Sequence, residues 1–265
     1  MARHKNGVDQ EFLRRNLEIC AAYGVGFFRD GGDKLMVSAC ARKIAWEYEI
    51  DYRTPVFAIY KKGSYGAMFG RAFERMADFS ELVREAKALG ADFIKLMVSG
   101  IMDFATDGRV TGPALGAAEL SQAVHIAEGE GLAVMAHVNG AENIKKALTA
   151  GVKSIEHGFW PDREVVDIFC QTGAVWVPTR APVQNLLGCG RFADDTLMTI
   201  LETQKRSLID AAARGVPIAS GSDSGSYLVS QGRGLQEECE SLAKMNIDPQ
   251  RGNRMIAELF GKVHG

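Results

Sequence analysis

Residues 132–160 read LAVMAHVNG, AENIKKALTAG and VKSIEHGFW, and this stretch decides the fold. The apolar runs 132–136 and 152–155 are too short for free-standing helices and are bounded by glycines, so they read as buried parallel strands. The segment between them suits one covering helix. Each strand finishes on a histidine, His137 and His157. Neighbouring strands lie ~4.8 Å apart, so side chains at their carboxyl ends can converge on a metal ion whose bonds to imidazole nitrogen are ~2.0–2.1 Å. One such histidine alone would more simply cap its strand with a hydrogen bond. Two at equivalent positions favour a ligand pair.

The same alternation extends in both directions. Upstream, Asp9 caps a helix carrying Phe12, Leu13, Leu17, Cys20 and Ala21 on one stripe and ending at Gly24. VGFFRDGGD is a strand over 25–29 that ends at Arg29 and Asp30, a helix covers 34–46, and a strand covers 55–60. A long Gly, Ser and aromatic-rich loop, KKGSYGAMFGRAF, leads to a helix with Leu82, Val83, Ala86 and Leu89 on one face. DFIKLMVSG supplies a strand over 92–98 with Lys95 inside an apolar run, followed by the loop IMDFATDGRVTGPALG. The next helix carries Leu120, Val124 and Ala127, and His125 lies off that stripe as a surface residue. Downstream come a helix capped by Asp162, a strand over 174–178 and a long helix over 196–213. A strand over 216–221 running into Asp223 and two helices over 234–245 and 249–260 complete the series.

Strand and helix alternating throughout predict an α/β fold with a parallel sheet. Polar residues at five strand ends, Asp30, Lys95, His137, His157 and Asp223, would share one face in a barrel. An open doubly wound sheet would gather them at a single switch point instead. The expectation is a TIM-like (β/α) barrel, a single domain over residues 1–265, with seven of eight strands present.

Basic and acidic residues, 31 and 33, are mixed along the chain, which excludes a basic stripe for nucleic acid or anionic lipid and leaves a small neutral or zwitterionic substrate as the natural partner. Five cysteines without CxxC spacing give neither a disulfide framework nor a cysteine zinc site, as fits a reducing cytoplasm. The polar start MARHKNGVDQEF is no signal peptide, and no apolar run reaches the ~18 residues of a membrane span.

A lysine facing inward from FIKLMV resists protonation, and a neutral amine can take up carbon dioxide as a carbamate. Lys95 could equally extend its ammonium to the barrel mouth or pair with an acid. Asp223, in the turn GSDSG, is by default a turn residue, and beside a metal it could bind the ion and take a proton from water.

Taken in order, RDGGD, FIKLMVSG, AVMAHVNG, VKSIEHGFW and PIASGSDSG resemble the metal-dependent amidohydrolase superfamily, in its imidazolonepropionase-like and prolidase-like branch, from about residue 11 to the end. The resemblance implies that His137 and His157 bind a divalent metal, zinc being expected. It further implies that Lys95 is carboxylated as a bridging carbamate and that Asp223 is both metal ligand and catalytic base. It implies hydrolysis of carbon–nitrogen bonds in amide, lactam or dipeptide-type substrates by metal-activated water.

The sequence also departs from that family. No HxH motif is present, His4 is the sole amino-terminal histidine, and no strands complete a small β domain. The chain therefore reads as the barrel without strand one, its activity impaired, holding at most about one ion tightly through Lys95, His137 and His157. The strands at 25–29 and 216–221 would present unpaired edges beside an exposed apolar interior, inviting a distorted seven-stranded barrel or association as a homo-oligomer. The alternative function is a non-catalytic barrel that binds a small molecule or a partner chain. Tyr60, Lys61, Arg180 and the loop 63–73 are expected to border the pocket.

Overall fold

Asp9 accepts the amide hydrogen of Phe12 at 3.0 Å and starts α1 (Gln10–Ala22), whose buried residues Leu13, Leu17 and Cys20 are those set by the helical spacing. The structure, a computed structural model, describes residue 4 and residues 7–106 and 108–260. His4 is buried rather than lying in a solvated tail, and its Nδ1 accepts from the Asp9 amide at 3.0 Å. After α1 the order is β1 (Phe27–Arg29), α2 (Val37–Ala45), β2 (Asp51–Arg53), β3 (Ala58–Lys61), β4 (Gly70–Phe73), α3 (Met76–Ala88) and β5 (Ile94–Met97). Next come α4 (Ala117–Gly129), β6 (Val134–Val138), α5 (Ala141–Thr149), β7 (Ser154–His157), α6 (Arg163–Thr172) and β8 (Val175–Val177). The chain continues with α7 (Ala181–Gln184), α8 (Asp194–Ala213), α9 (Arg233–Ala243) and α10 (Gln250–Phe260).

Every ladder between these strands is parallel. Six strands pair in the order β4-β3-β5-β6-β7-β8, and β1 pairs with β2. β2 and β3 occupy one position in the wall, interrupted around Pro55, which has no amide hydrogen to donate to a ladder. Thr54 O still accepts from Asp92 N at 2.9 Å, so the β2 side runs on beside β5. At the far end residues 216–220 add one parallel bridge, Trp176 to Ile218, with Ala219 N donating to Trp176 O at 2.9 Å. The wall thus has the seven expected positions in an α/β arrangement.

Alternation along the strands sorts the core into two layers. Ile94, Leu96, Val134, Ala136, Val138, Ile155 and Trp176 pack outward on the helices. Phe93, Met135, Val175, Val177 and Ala219 pack together with Ile256 and Phe260 of α10.

Two departures from the sequence reading matter. The loop at 63–73 contains β4, a pairing that Gly70 permits because a Cβ there would lie 2.8 Å from Ala58 O. A glycine in a short polar run looks like a loop in sequence.

The second concerns the gap, whose edges were expected to be bare. α10 lies along residues 216–220: a Cβ on Gly252 would come within 2.1 Å of Ile218 O, and Asn253 Oδ1 accepts from Ser220 N at 2.8 Å. At its other end Phe260 meets Phe93 edge to face at 5.1 Å, and the Arg29 guanidinium stands 4.6 Å from the Phe260 ring centre. Gly252, Ile256 and Phe260 recur every four residues, one helical stripe, so α10 buries that stripe where a strand between β1 and residues 216–220 would lie. Among the described residues no ladder joins those two edges.

Candidate active site

The register of three neighbouring strands assembles the centre. Lys95 pairs with Met135, His137 with Met97 and Glu156, and His157 with Val138, so the histidines stand one residue apart in level at the carboxyl ends of β6 and β7. Their ring centres are 4.5 Å apart, inclined at 67°. Lys95 and His137 are buried, His157 is half-buried, and Asp223 is exposed at the mouth with Ser226 Oγ donating to its Oδ2 at 2.7 Å. His157 (φ 69°) and Asp223 (φ 52°) both hold left-handed backbone, a strain that the surrounding contacts must maintain.

Burial is the first cause of every shift here. It lowers Lys95, with the positive charge of Arg29 adding and Glu156 and Asp223 opposing. It lowers His157 to about 3 and holds His137 well below the ordinary imidazole range, with His157 and Lys95 adding to the effect. Both rings are therefore neutral near pH 7, the form that binds a metal. Desolvation pushes the Asp223 carboxyl up, opposed by its hydrogen bond from Ser226 and by the charge of Lys95.

Lys95 interacts electrostatically with His137, His157 and Asp223, so the four expected residues lie within reach of one another's charge. Four further residues belong to the site. The Tyr65 ring lies 4.9 Å from that of His137. Beneath the histidines a buried ion pair joins Arg29 Nη2 to Glu156 Oε1 at 2.9 Å, and Arg29 Nη1 donates to Ser154 Oγ at 3.0 Å. Glu156 and Ser154 share parity in VKSIEH, two residues apart, and that signal could have marked them as inward-facing. Tyr65 lies in the loop 63–73 expected at the pocket border, and the fold after β3 decides that its ring meets His137.

Arg180, expected at the pocket border, is instead buried. It donates to Ser241 Oγ at 3.0 Å, Leu201 O at 3.1 Å and Gln204 Oε1 at 3.0 Å. Lys61 is committed to an ion pair with Glu119 in the first turn of α4. Next to Arg180, the buried Glu238 accepts from Ala181 N at 2.9 Å through Oε2 while its Oε1 has no partner.

Burial raises the Glu238 carboxyl from 4.5 to about 7. Its folded form thus binds a proton more tightly than the unfolded chain does. The stability it contributes is full below the unfolded value and is lost as pH rises through about 7. Glu238→Gln, which mimics the protonated acid, is expected to stabilise the chain by about 1–3 kcal/mol at pH 8 and to be neutral near pH 4. Denaturant midpoints at the two pH values check this, and equal midpoints at pH 8 would show that the carboxylate is tolerated.

As a metal site the donor set is incomplete by ordinary standards. Among the described residues no three His, Cys, Asp or Glu side chains gather as a metal-holding group. The two neutral imidazoles fit one ion only if Lys95 supplies a further ligand. Among the described residues no helix is long and apolar enough to cross a membrane.

A family model described as "Amidohydrolase family" matches residues 34–256. Ochratoxinase of Aspergillus niger is 31% identical over 176 residues, 61% of this chain but 36% of the relative, so the match spans about a third of that protein. Among solved structures, a Xaa-Pro dipeptidase with bound methionine superposes with a TM-score of 0.76 at 21% identity, covering 94% of this chain and 67% of the other. The A. niger ochratoxinase structure gives 0.73 at 22% identity, covering 92% and 61%. At these identities the structural likeness is one of fold.

Proposed function

The chain belongs to the amidohydrolase family, and we propose that it hydrolyses a carbon–nitrogen bond of a small molecule, an amide, lactam or dipeptide-type substrate, as one domain over residues 1–265. The observation that carries this reading is the pair of neutral, touching imidazoles of His137 and His157 at adjacent strand ends, with Lys95 behind them and Asp223 in front. The relatives' names, a dipeptidase and ochratoxinase, agree with small substrates.

In this reading His137, His157 and a carboxylated Lys95 hold one divalent ion, zinc, with Asp223 beside it. When bound, that ion polarises water and the substrate carbonyl as a Lewis acid. The chain's own residues do the rest. Asp223, its carboxyl raised from the ordinary carboxylate value, takes a proton from the attacking water and delivers it to the departing nitrogen. Tyr65 shields one side of the His137 ring.

The Arg29–Glu156 pair balances a cation with an anion in the barrel interior, and burial lowers the Lys95 amine from its ordinary value, the direction that favours the uncharged form carboxylation needs. The incomplete donor set favours a second reading, a barrel that binds its small molecule without turnover.

A panel of lactams, N-acyl amino acids and dipeptides, assayed with zinc and bicarbonate supplied, separates the two. Zinc-dependent turnover that Asp223→Asn lowers by about a hundredfold or more is expected. Binding without turnover across the panel would establish the second reading.

A further inference from the structure

Two carbonyls stand where the ladder between β7 and β8 stops. Its last pair is Glu156 with Val177, and the next residue, Pro178, has no amide hydrogen with which to extend it. His157 leaves the strand in a left-handed turn at φ 69°, and Pro178 is buried, so the carbonyls of both must be met by donors from outside the ladder. A side chain of α8 meets them. Gln204 Nε2 donates to His157 O at 2.7 Å and to Pro178 O at 3.0 Å.

The third contact of this amide decides which way it faces. Arg180 Nη1 lies 3.0 Å from Gln204 Oε1 and can only donate, so the oxygen is turned to Arg180 and the NH2 group to the two carbonyls, which can only accept. Arg180 is itself held, donating from Nε to Ser241 Oγ on α9 at 3.0 Å and from Nη1 to Leu201 O at 3.1 Å. We propose that Gln204 is a positioning residue: oriented by Arg180, its amide pins the His157 carbonyl and thereby sets where the His157 ring stands against that of His137. The inference rests on the reading of His157 as part of an active centre only for its functional consequence.

Gln204 is wholly buried in a stripe of α8 otherwise made of Leu197, Ile200, Leu201, Leu208 and Ala211, where an apolar side chain would pack with no polar group to satisfy. Its nitrogen and its oxygen are both paired nonetheless. Trp176 Nε1 adds a second donor to His157 O at 3.1 Å. Gly158 admits that indole, since a Cβ at this position would come within 2.5 Å of the nitrogen. Helix α8 and the indole of β8 thus meet on the carbonyl of a residue whose ring centre is 4.5 Å from that of His137. The buried Arg180 acquires a task beside the centre rather than in the pocket. Outer partners that orient a ligating histidine change metal affinity by about ten- to a hundredfold when removed.

The nuclear Overhauser effect between the ring protons of His137 and His157, recorded on the full chain without added metal, tests the proposal. Gln204→Met keeps length and bulk and removes both donors, so that effect should fall several-fold in a chain that still folds, and zinc affinity should fall about ten- to a hundredfold. Leu208→Ala, one turn along the same stripe, removes packing and leaves the amide in place. It should lower the urea midpoint while keeping the ring contact and the zinc affinity of the parent. An unchanged ring contact in a folded Gln204→Met chain overturns the proposal, and so does an equal loss in Leu208→Ala, which would mark a general loosening. Should the methionine variant not fold, the parent still decides: both amide hydrogens of Gln204 are expected to exchange slowly with solvent, and rapid exchange of either overturns the proposal. If the ring contact responds as expected while the parent binds no zinc, the positioning stands and the metal reading above falls.

Discussion

His157→Ala is expected to abolish zinc retention and to lower any hydrolysis by more than about a hundredfold, beyond what the loss of a supporting contact does. With that ring gone, His137 and Lys95 are the remaining inner donors, fewer than the three or four protein ligands of ordinary zinc sites. The parent chain, reconstituted and dialysed, is expected to retain about one zinc per chain, because the neutral donors gather once, at the ends of β6 and β7. Elemental analysis measures both. Stoichiometry near two would mean that other side chains complete a second shell, and retention by the alanine variant would remove His157 from the site.

The other large effect is on stability. Phe260→Ala should destabilise the chain by about 3–5 kcal/mol, the range for deleting a buried aromatic ring. Phe260 is 1% exposed, packs against Phe93 and carries the Arg29 guanidinium over its face. Its removal opens a void beside the buried Arg29–Glu156 pair, where water would weaken that pair as well. Gly252→Ala attacks the other end of the same helix, since its Cβ would meet Ile218 O and force α10 away from residues 216–220. Urea midpoints report both variants. A Phe260→Ala chain with an unshifted midpoint would show that α10 does not seal the barrel interior.

These tests follow the division between what is local in this protein and what is not. The parallel α/β series, the cap at Asp9, the strands ending on His137 and His157 and the inward Lys95 could all be read from sequence, because periodicity, capping and strand parity depend on residues a few positions apart. Membership of the amidohydrolase family was legible for the same reason, as a run of short motifs in order. Long-range placement decided the rest. Gly70 forms a strand because Ala58 leaves room for a residue without a Cβ, and Arg180 serves the core because Gln204 and Ser241 meet it there. The stripe Gly252, Ile256, Phe260 announces an amphipathic helix in sequence. That its partner is the barrel interior beside Ile218 and Arg29 emerges only when the fold sets α10 against residues 216–220 and the end of β1.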